Sequence, residues 1–139
     1  GFVKVVNENC IIIPDSKGNN RLDSLVNIIE TKQVGCLFLI PGVDETLRIN
    51  GRGRISTSTA HLKQFSHHKN PPKACIEIRI KEVFLHCAKA LMRSKLWSAD
   101  AKLERSKFPT IATMLNDQLC LSEPPESQAT MVARYQQDL

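Results

Sequence analysis

The sequence predicts an α+β protein that is mainly β, in which antiparallel strands joined by hairpins precede a helical C-terminal third. Runs of β-branched and alternating residues recur as far as residue 85, and clusters of turn residues separate them. From residue 86 onward, the apolar residues follow helical spacing instead. Strands followed by helices, with no alternating βαβ order, predict an antiparallel sheet or a closed barrel.

Two β-hairpins are predicted in the first half of the chain. Residues 1–6 and 10–14 are rich in β-branched side chains, and a short polar turn joins them. Residues 34–40 form a continuous apolar run that passes through a Pro-Gly turn into residues 45–57, which alternate with period two. Each pair therefore predicts two neighbouring antiparallel strands.

The second strand of the later hairpin has two unlike faces. Its apolar face consists of Leu47, Ile49 and Ile55, and its polar face of Thr46, Arg48, Asn50, Arg52 and Arg54. Gly51 and Gly53 fall on the apolar face, where a missing side chain permits a bulge, a barrel bend or the close approach of a ligand. The polar face is equally compatible with a solvated cationic surface.

The spacing of apolar residues predicts several helices and one more strand. Leu22, Leu25, Val26 and Ile29 recur at helical intervals up to about Lys32 and predict an amphipathic helix. Residues 74–85 alternate and predict a long strand. Other helices are predicted at residues 58–66, 87–95, 99–105, 109–120 and 127–138. A chain of 139 residues is long enough for one domain, and we expect residues 1–139 to form it.

The overall charge favours an anionic ligand. The formal net charge is +5 and the isoelectric point about 9.1, so the surface attracts phosphates, nucleotides or nucleic acid. Five Phe, one Tyr and one Trp offer little surface for stacked bases, which makes a small phosphorylated molecule a better candidate than nucleic acid. A basic nucleic-acid-binding module is a further alternative for the function of the protein.

The cysteines and histidines predict no metal site. The five cysteines are odd in number and contain no C-x-x-C pair, so neither a disulfide framework nor a zinc site is indicated, and a reducing cytoplasm is expected. His67 and His68 lie in a polar loop, where paired histidines are more often solvated than metal-bound. No apolar run reaches membrane-spanning length, and the first residues lack the layout of a signal peptide.

The segment from Ile12 to Leu25 predicts a phosphate site, because it delivers a glycine-bearing turn and a cation to the start of a helix. Backbone N–H groups of a first helical turn point outward, and the helix dipole favours an anion. Arg21 can donate two parallel hydrogen bonds to a phosphate. The alternative is that Asn20 is only an N-cap and Arg21 a solvated residue.

Residues 86–97 predict a second candidate surface. Lys89, Arg93 and Trp97 are spaced four apart, and would share one helical face if the segment stays helical. Two cations and an indole suit a phosphate and a flat conjugated ring. A surface stripe with a half-buried Trp is the alternative.

Four ordered blocks resemble one subgroup of the pyridoxamine 5'-phosphate oxidase-like flavoproteins. They are I-P-D-x-x-G-N-N-R-L-D-S-L, V-G-C-L-F-L-I-P-G, E-T-L-R-I-N-G-R-G-R-I and H-C-A-K-A-L-M-R-S-K-L-W. The resemblance implies a six-stranded split β-barrel that dimerises and binds FMN at the subunit interface. The homodimer and the FMN are expectations drawn from this family.

The resemblance also implies site residues. The matching positions beside the flavin are Ile13, Pro14 and Asp15. Those around its phosphate are Asn19, Asn20 and Arg21. Thr46 corresponds to a ring-contacting residue. Independently of the resemblance, Lys89, Arg93, Ser94 and Trp97 of the last block are further candidate flavin contacts.

The sequence departs from the true pyridoxamine 5'-phosphate oxidases in two ways. Nothing after Trp97 reproduces their C-terminal Trp and Arg-x-His segment, and the first strands of the family barrel are expected before Gly1. We therefore expect an FMN-dependent oxidoreductase acting on a different small molecule, with a non-catalytic flavin carrier or sensor as the alternative. The flavin carries the electrons in such proteins, and we assign no catalytic side chain.

Overall fold

The computed structural model describes residues 2–18 and 20–138, and the part it describes contains one five-stranded antiparallel sheet. The strands are β1 (Lys4–Asn7), β2 (Cys10–Pro14), β3 (Gln33–Phe38), β4 (Thr46–Ser56) and β5 (Cys75–His86). Their order across the sheet is β1-β2-β5-β4-β3. Both predicted hairpins and the long strand are confirmed. The sheet is not closed, and within the described residues it has one strand fewer than the six implied by the resemblance.

Five α-helices accompany the sheet within the described residues. They are α1 (Asp23–Thr31), α2 (Thr59–Leu62), α3 (Lys89–Ser94), α4 (Ile111–Leu119) and α5 (Gln128–Gln136), and α2 continues as a 3-10 turn over Lys63–Phe65. None of the helices in the described part of the chain has the length and apolar character needed to cross a membrane.

The helix predicted over residues 99–105 is wrong. Ala99–Ala101 is only a 3-10 turn, and a second such turn follows at Arg105–Lys107. The side chain of Ser98 accepts a hydrogen bond from the backbone N–H of Asp100, and Lys102 is extended at φ −74° and ψ 123°. Local bonds of this kind compete with helix formation, which explains the interruption.

The chain divides into two compact units, residues 1–97 and residues 98–139. The first contains the sheet with α1 to α3. The second contains α4 and α5, whose N-caps Thr110 and Ser127 accept hydrogen bonds from the backbone N–H groups of Thr113 and Thr130. Each cap satisfies a donor that the first turn of a helix leaves open. A single domain over residues 1–139 stays a prediction.

One face of the sheet carries the main core. Ile11, Ile49 and Ile78, from β2, β4 and β5, are buried together and define what we call the core face. Helix α1 packs on this face through Ile28, which is 6% exposed. A helix is confirmed here, but its predicted apolar face is wrong: Val26 and Ile29 are 45% and 56% exposed, and Ile28 points inward, because the strands that the helix covers set its rotation.

The two glycines of β4 serve the sheet itself. The register of β4 and β5 shifts between Asn50 and Gly51, which leaves Lys81 of β5 without an opposite residue. A side chain at Gly51 would collide with the backbone carbonyl of Arg79, and one at Gly53 with Val34. The register shift confirms a bulge, one of the three predicted uses of these glycines, whereas the close packing of Val34 against Gly53 was not predicted.

Candidate functional site

The chain between β2 and α1 carries the first group of predicted site residues. Ile13 is half-buried, Pro14 is buried, and Asp15 is exposed, with its backbone N–H donating to the carbonyl of Ala74 at 3.0 Å. These contacts hold the segment beside the first residue of β5. Asn19 lies outside the described residues.

Asn20 and Arg21 lead into α1 without forming part of it. Asn20 has a left-handed backbone with φ 61°, a conformation that asparagine tolerates better than most residues. The N-cap of α1 is Leu22, whose side chain makes no capping hydrogen bond. The alternative role of Asn20 as the N-cap is therefore wrong. Within the part of the chain that the structure describes, no side chain caps this helix start, which leaves its first N–H groups available to an external anion.

Arg21 is held close to this helix start by an ion pair. Its Nη2 and Nε atoms donate to Oδ2 of Asp23 at 2.7 and 3.1 Å. The Arg21 and Asp23 side chains are 76% and 67% exposed. Arg21 precedes the N-cap by one residue, so the predicted cation lies just before the helix and not within its first turn. Its guanidinium nevertheless lies beside the carboxylate of the first helical residue.

Helix α3 carries the second group, but it is shorter than predicted. Lys89 and Arg93 are exposed and one helical turn apart, whereas Trp97 lies beyond the end of the helix. The helix stops because Lys95 adopts φ 52° and the N–H of Leu96 returns to the carbonyl of Leu91 at 3.2 Å. The prediction that Trp97 shares a helical face with the two cations is wrong.

Ser94 and Trp97 have contacts of their own. The hydroxyl of Ser94 donates to the carbonyl of Leu91 at 3.1 Å and so closes the last turn of α3. The indole Nε1 of Trp97 donates to the carbonyl of Val43 at 2.8 Å. Val43 belongs to the turn that leads into β4, three residues before Thr46. The bond fixes Trp97 beside the start of β4.

The two groups lie at opposite ends of the β4–β5 ladder. Pro14 and Ser56 both pair with Cys75 at one end, while Thr46 pairs with His86 at the other. At about 3.3 Å per residue, the length of β4 separates these ends by roughly 30 Å. A single chain therefore does not bring Ile13, Pro14 and Asp15 together with Thr46 and the α3 residues.

The sheet also contains a polar cluster that the sequence did not identify. Glu77 is 4% exposed, and its Oε2 accepts from Nη2 of Arg54 at 2.6 Å. The same oxygen lies 3.7 Å from Nδ1 of His61, which is 3.0 Å from Oγ of Ser56. The hydrogen bond to Glu77 raises the pKa of Arg54. Alternation placed Glu77 on a polar face, but its burial depends on α2, which local sequence does not reveal.

Three cysteines have raised pKa values. Burial raises the pKa of the thiols of Cys10, Cys36 and Cys75, which keeps them protonated and unreactive at neutral pH. The rings of His67 and His68 meet edge-on with centroids 4.7 Å apart. The described residues hold no group of three His, Cys, Asp or Glu side chains that could bind a metal ion.

The sheet order, the helix between β2 and β3, and the unclosed ladder define a protein of the split-barrel class. The sequence model of the pyridoxamine 5'-phosphate oxidase family matches residues 1–87, which is more than half of the chain. The chain belongs to this family. A comparison with curated proteins gives no match.

Two solved structures of HupZ from Group A Streptococcus have a similar fold. One of them, a variant in which a histidine is replaced by alanine, has a TM-score of 0.52 at 17% sequence identity, over 61% of this chain and 73% of that chain. The other HupZ structure has a TM-score of 0.51, also at 17% identity, over 60% of this chain and 68% of that chain. At this level of identity the likeness concerns the fold alone.

Proposed function

We propose that the protein is an FMN-binding flavoprotein and an FMN-dependent oxidoreductase of the pyridoxamine 5'-phosphate oxidase-related type, acting on a small molecule. The observation that carries the proposal is Arg21 beside a helix start at which no described side chain forms a cap. Both lie within the stretch that matches the family, whose members typically bind flavin.

The residues at this helix start fit a phosphate monoester. The N–H groups at the start of α1 and the positive end of its dipole favour a dianion, and the exposed Arg21 guanidinium adds a charge-assisted contact. Asp23 competes for Arg21, but an exposed ion pair of this kind contributes only about 0 to 1 kcal/mol. A phosphate that also gains the helix N–H groups can displace one carboxylate.

We propose further that the functional unit is a homodimer with FMN at the subunit interface. One subunit would supply Ile13 to Arg21, and the other would supply Thr46 with Lys89, Arg93 and Trp97. The support is the separation of these groups along one ladder, since a neighbouring copy is the simplest way to bring both to one ligand. The exposed apolar side chains near His86 offer a surface for such a copy.

In this arrangement the flavin supplies hydride or electron transfer, and the protein's own residues hold and orient it. Arg21 and the start of α1 would bind the phosphate. Pro14 and Thr46, both buried at their strand ends, would define the edges of the ring site. We assign no proton-transfer role to a side chain of this site.

Titration of the purified protein with FMN and with riboflavin tests the binding proposal. Arg21→Ala should weaken FMN binding on the order of tenfold to a hundredfold, since a charge-assisted bond contributes roughly 1.5 to 3 kcal/mol. Riboflavin lacks the phosphate and should bind both forms alike. Arg48→Ala is the matched control, because Arg48 is also exposed but belongs to neither predicted group. Equal FMN affinity in Arg21→Ala and the parent would remove Arg21 from the site.

Reduction kinetics test the oxidoreductase proposal separately. The FMN-loaded protein should be reduced by NADH or NADPH and reoxidised at a rate near ordinary turnover, on the order of 1 to 1000 per second. Tight FMN binding with reduction slower than this range would favour a flavin carrier or sensor. The two experiments can therefore fail independently.

A further inference from the structure

The face of the sheet opposite the core face carries a concentration of arginines. We call it the polar face; on it, Arg52 of β4 stands directly opposite Arg79 of β5, and Arg54 is opposite Glu77. Like charges directly opposite each other destabilise a ladder. Glu77 is the acidic partner of Arg54 at this point, with Oε2 to Nη2 at 2.6 Å. The face therefore retains an excess of positive charge.

A cavity of about 670 Å³ opens over this part of the polar face. Its charged and polar lining consists of two arginines, two carboxylates, a histidine and two asparagines: Arg54, Arg79, Glu77, Glu8, His61, Asn7 and Asn9. The size falls within the usual range of small-molecule sites, roughly 300 to 1,000 Å³. The cavity is thus concave, and its lining combines guanidinium donors with two carboxylates, of which Glu77 is paired with Arg54.

Arg79 is the side chain of this cavity whose guanidinium N–H groups are available to a ligand. It is 78% exposed, and its ion contact is the 3.8 Å approach of Nε to Oε1 of Glu77. Across the described residues, its Nη groups donate no hydrogen bond. Glu77 is buried and already bonded to Arg54, so it holds that guanidinium in place without neutralising Arg79 fully.

We propose that this cavity is a second anion site, which takes the phosphate group of a small phosphorylated molecule. Arg79 would contact the phosphate with its planar guanidinium, Arg54 would add charge from a position fixed by Glu77, and the amide of Asn9 would donate from the rim. Arg52 does not line the cavity but adds to the local field. The site is distinct from the one at Arg21, because α1 packs on the core face.

Calorimetric titration of the purified protein with inorganic pyrophosphate tests the proposal. Arg79→Gln should weaken binding on the order of tenfold, because one charge-assisted contact is lost. Asn9→Asp should weaken it to a similar degree, since it places a carboxylate at the rim with almost no change in shape. Both residues are exposed, so both variants should fold. Arg48→Gln removes an arginine from the same face outside the cavity, and should change affinity less than twofold.

The same titration separates this site from the proposed flavin site. Arg21→Ala should leave pyrophosphate binding at the cavity within twofold of the parent, whether or not the protein binds FMN. No heat of binding in the parent would overturn the proposal. So would equal losses in Arg79→Gln and Arg48→Gln, which would indicate diffuse charge, or a loss confined to Arg21→Ala, which would assign the anion to the helix start.

Discussion

The two ends of the β4–β5 ladder are built from the same two strands, yet only one is covered. At the end that begins at Cys75, the side chains of Phe65, Ile12 and Cys75 are fully buried against one another. We call this the closed end. At the other, which we call the open end, Val83 and Leu85 are 55% and 66% exposed.

This difference arises from the segments next to each end. After Ser56 the chain turns into α2 and the 3-10 turn that carries Phe65, and these residues close the ladder from within the same chain. The segments around the open end leave apolar side chains in water, including Phe84 at 42% exposed. Apolar side chains left exposed at one end of a sheet are consistent with an interaction site, and a second copy of the chain is the partner we propose.

The largest effect is expected from removing the aromatic ring that closes the ladder. Phe65→Ala should lower the free energy of unfolding by about 3 to 5 kcal/mol, because it leaves a cavity in place of a fully buried side chain. Phe84→Ala is the matched control at the open end and should lower it by less than about 1 kcal/mol in dilute protein. Denaturant unfolding measures both. Equal losses would contradict the division into closed and open ends.

A charge at the open end should act on assembly. Leu85→Asp should weaken self-association by at least about 2 kcal/mol, or roughly 30-fold, because a carboxylate would be buried without a partner. The parent should show twice the chain mass in light scattering at micromolar concentration, and the variant the mass of one chain. A parent that is monomeric yet binds FMN would contradict the proposed interface.

A smaller effect is expected on the free energy of unfolding at alkaline pH. Burial raises the pKa of the Cys75 thiol, more than the Ser56 hydrogen bond lowers it. Above the ordinary thiol pKa the unfolded chain loses a proton that the folded chain keeps, so stability falls as pH rises. The contribution is less than about 1.4 kcal/mol per pH unit. The melting temperature, plotted against pH between 8 and 10, should fall less steeply in Cys75→Ala than in the parent, and an equal fall would contradict this contribution.

Local pattern was enough to predict the strands and most helices. Alternation in β4 and β5, and the turns that bound them, follow from neighbouring residues, and a bulge was one of the uses predicted for the glycines of β4, beside which the register shifts. Two predictions were wrong for the same reason, which is that residue spacing along the chain does not determine these features. Trp97 leaves the helix because Lys95 is left-handed, and Ile28 rather than Ile29 reaches the core because the sheet sets the rotation of α1.

The site was only partly predictable for a further reason. The family blocks gave the residues at both ends of the ladder, but the register of β4 against β5 decides that Pro14 and Thr46 lie far apart. The cluster around Glu77 depends on the same register and on the position of His61 in α2. Both are long-range properties that spacing along the chain does not contain.

Subunit exchange tests most directly whether one flavin site is completed by two subunits. Arg21→Ala and Arg93→Ala each damage one side of the proposed site, and both side chains are exposed, so both variants should fold. After the two are mixed at equal concentration and allowed to exchange, hybrid dimers should restore about a quarter of the parent's high-affinity FMN sites, because half of the dimers carry one intact site. No recovery in a mixture shown to exchange subunits would mean that a single chain holds the whole site.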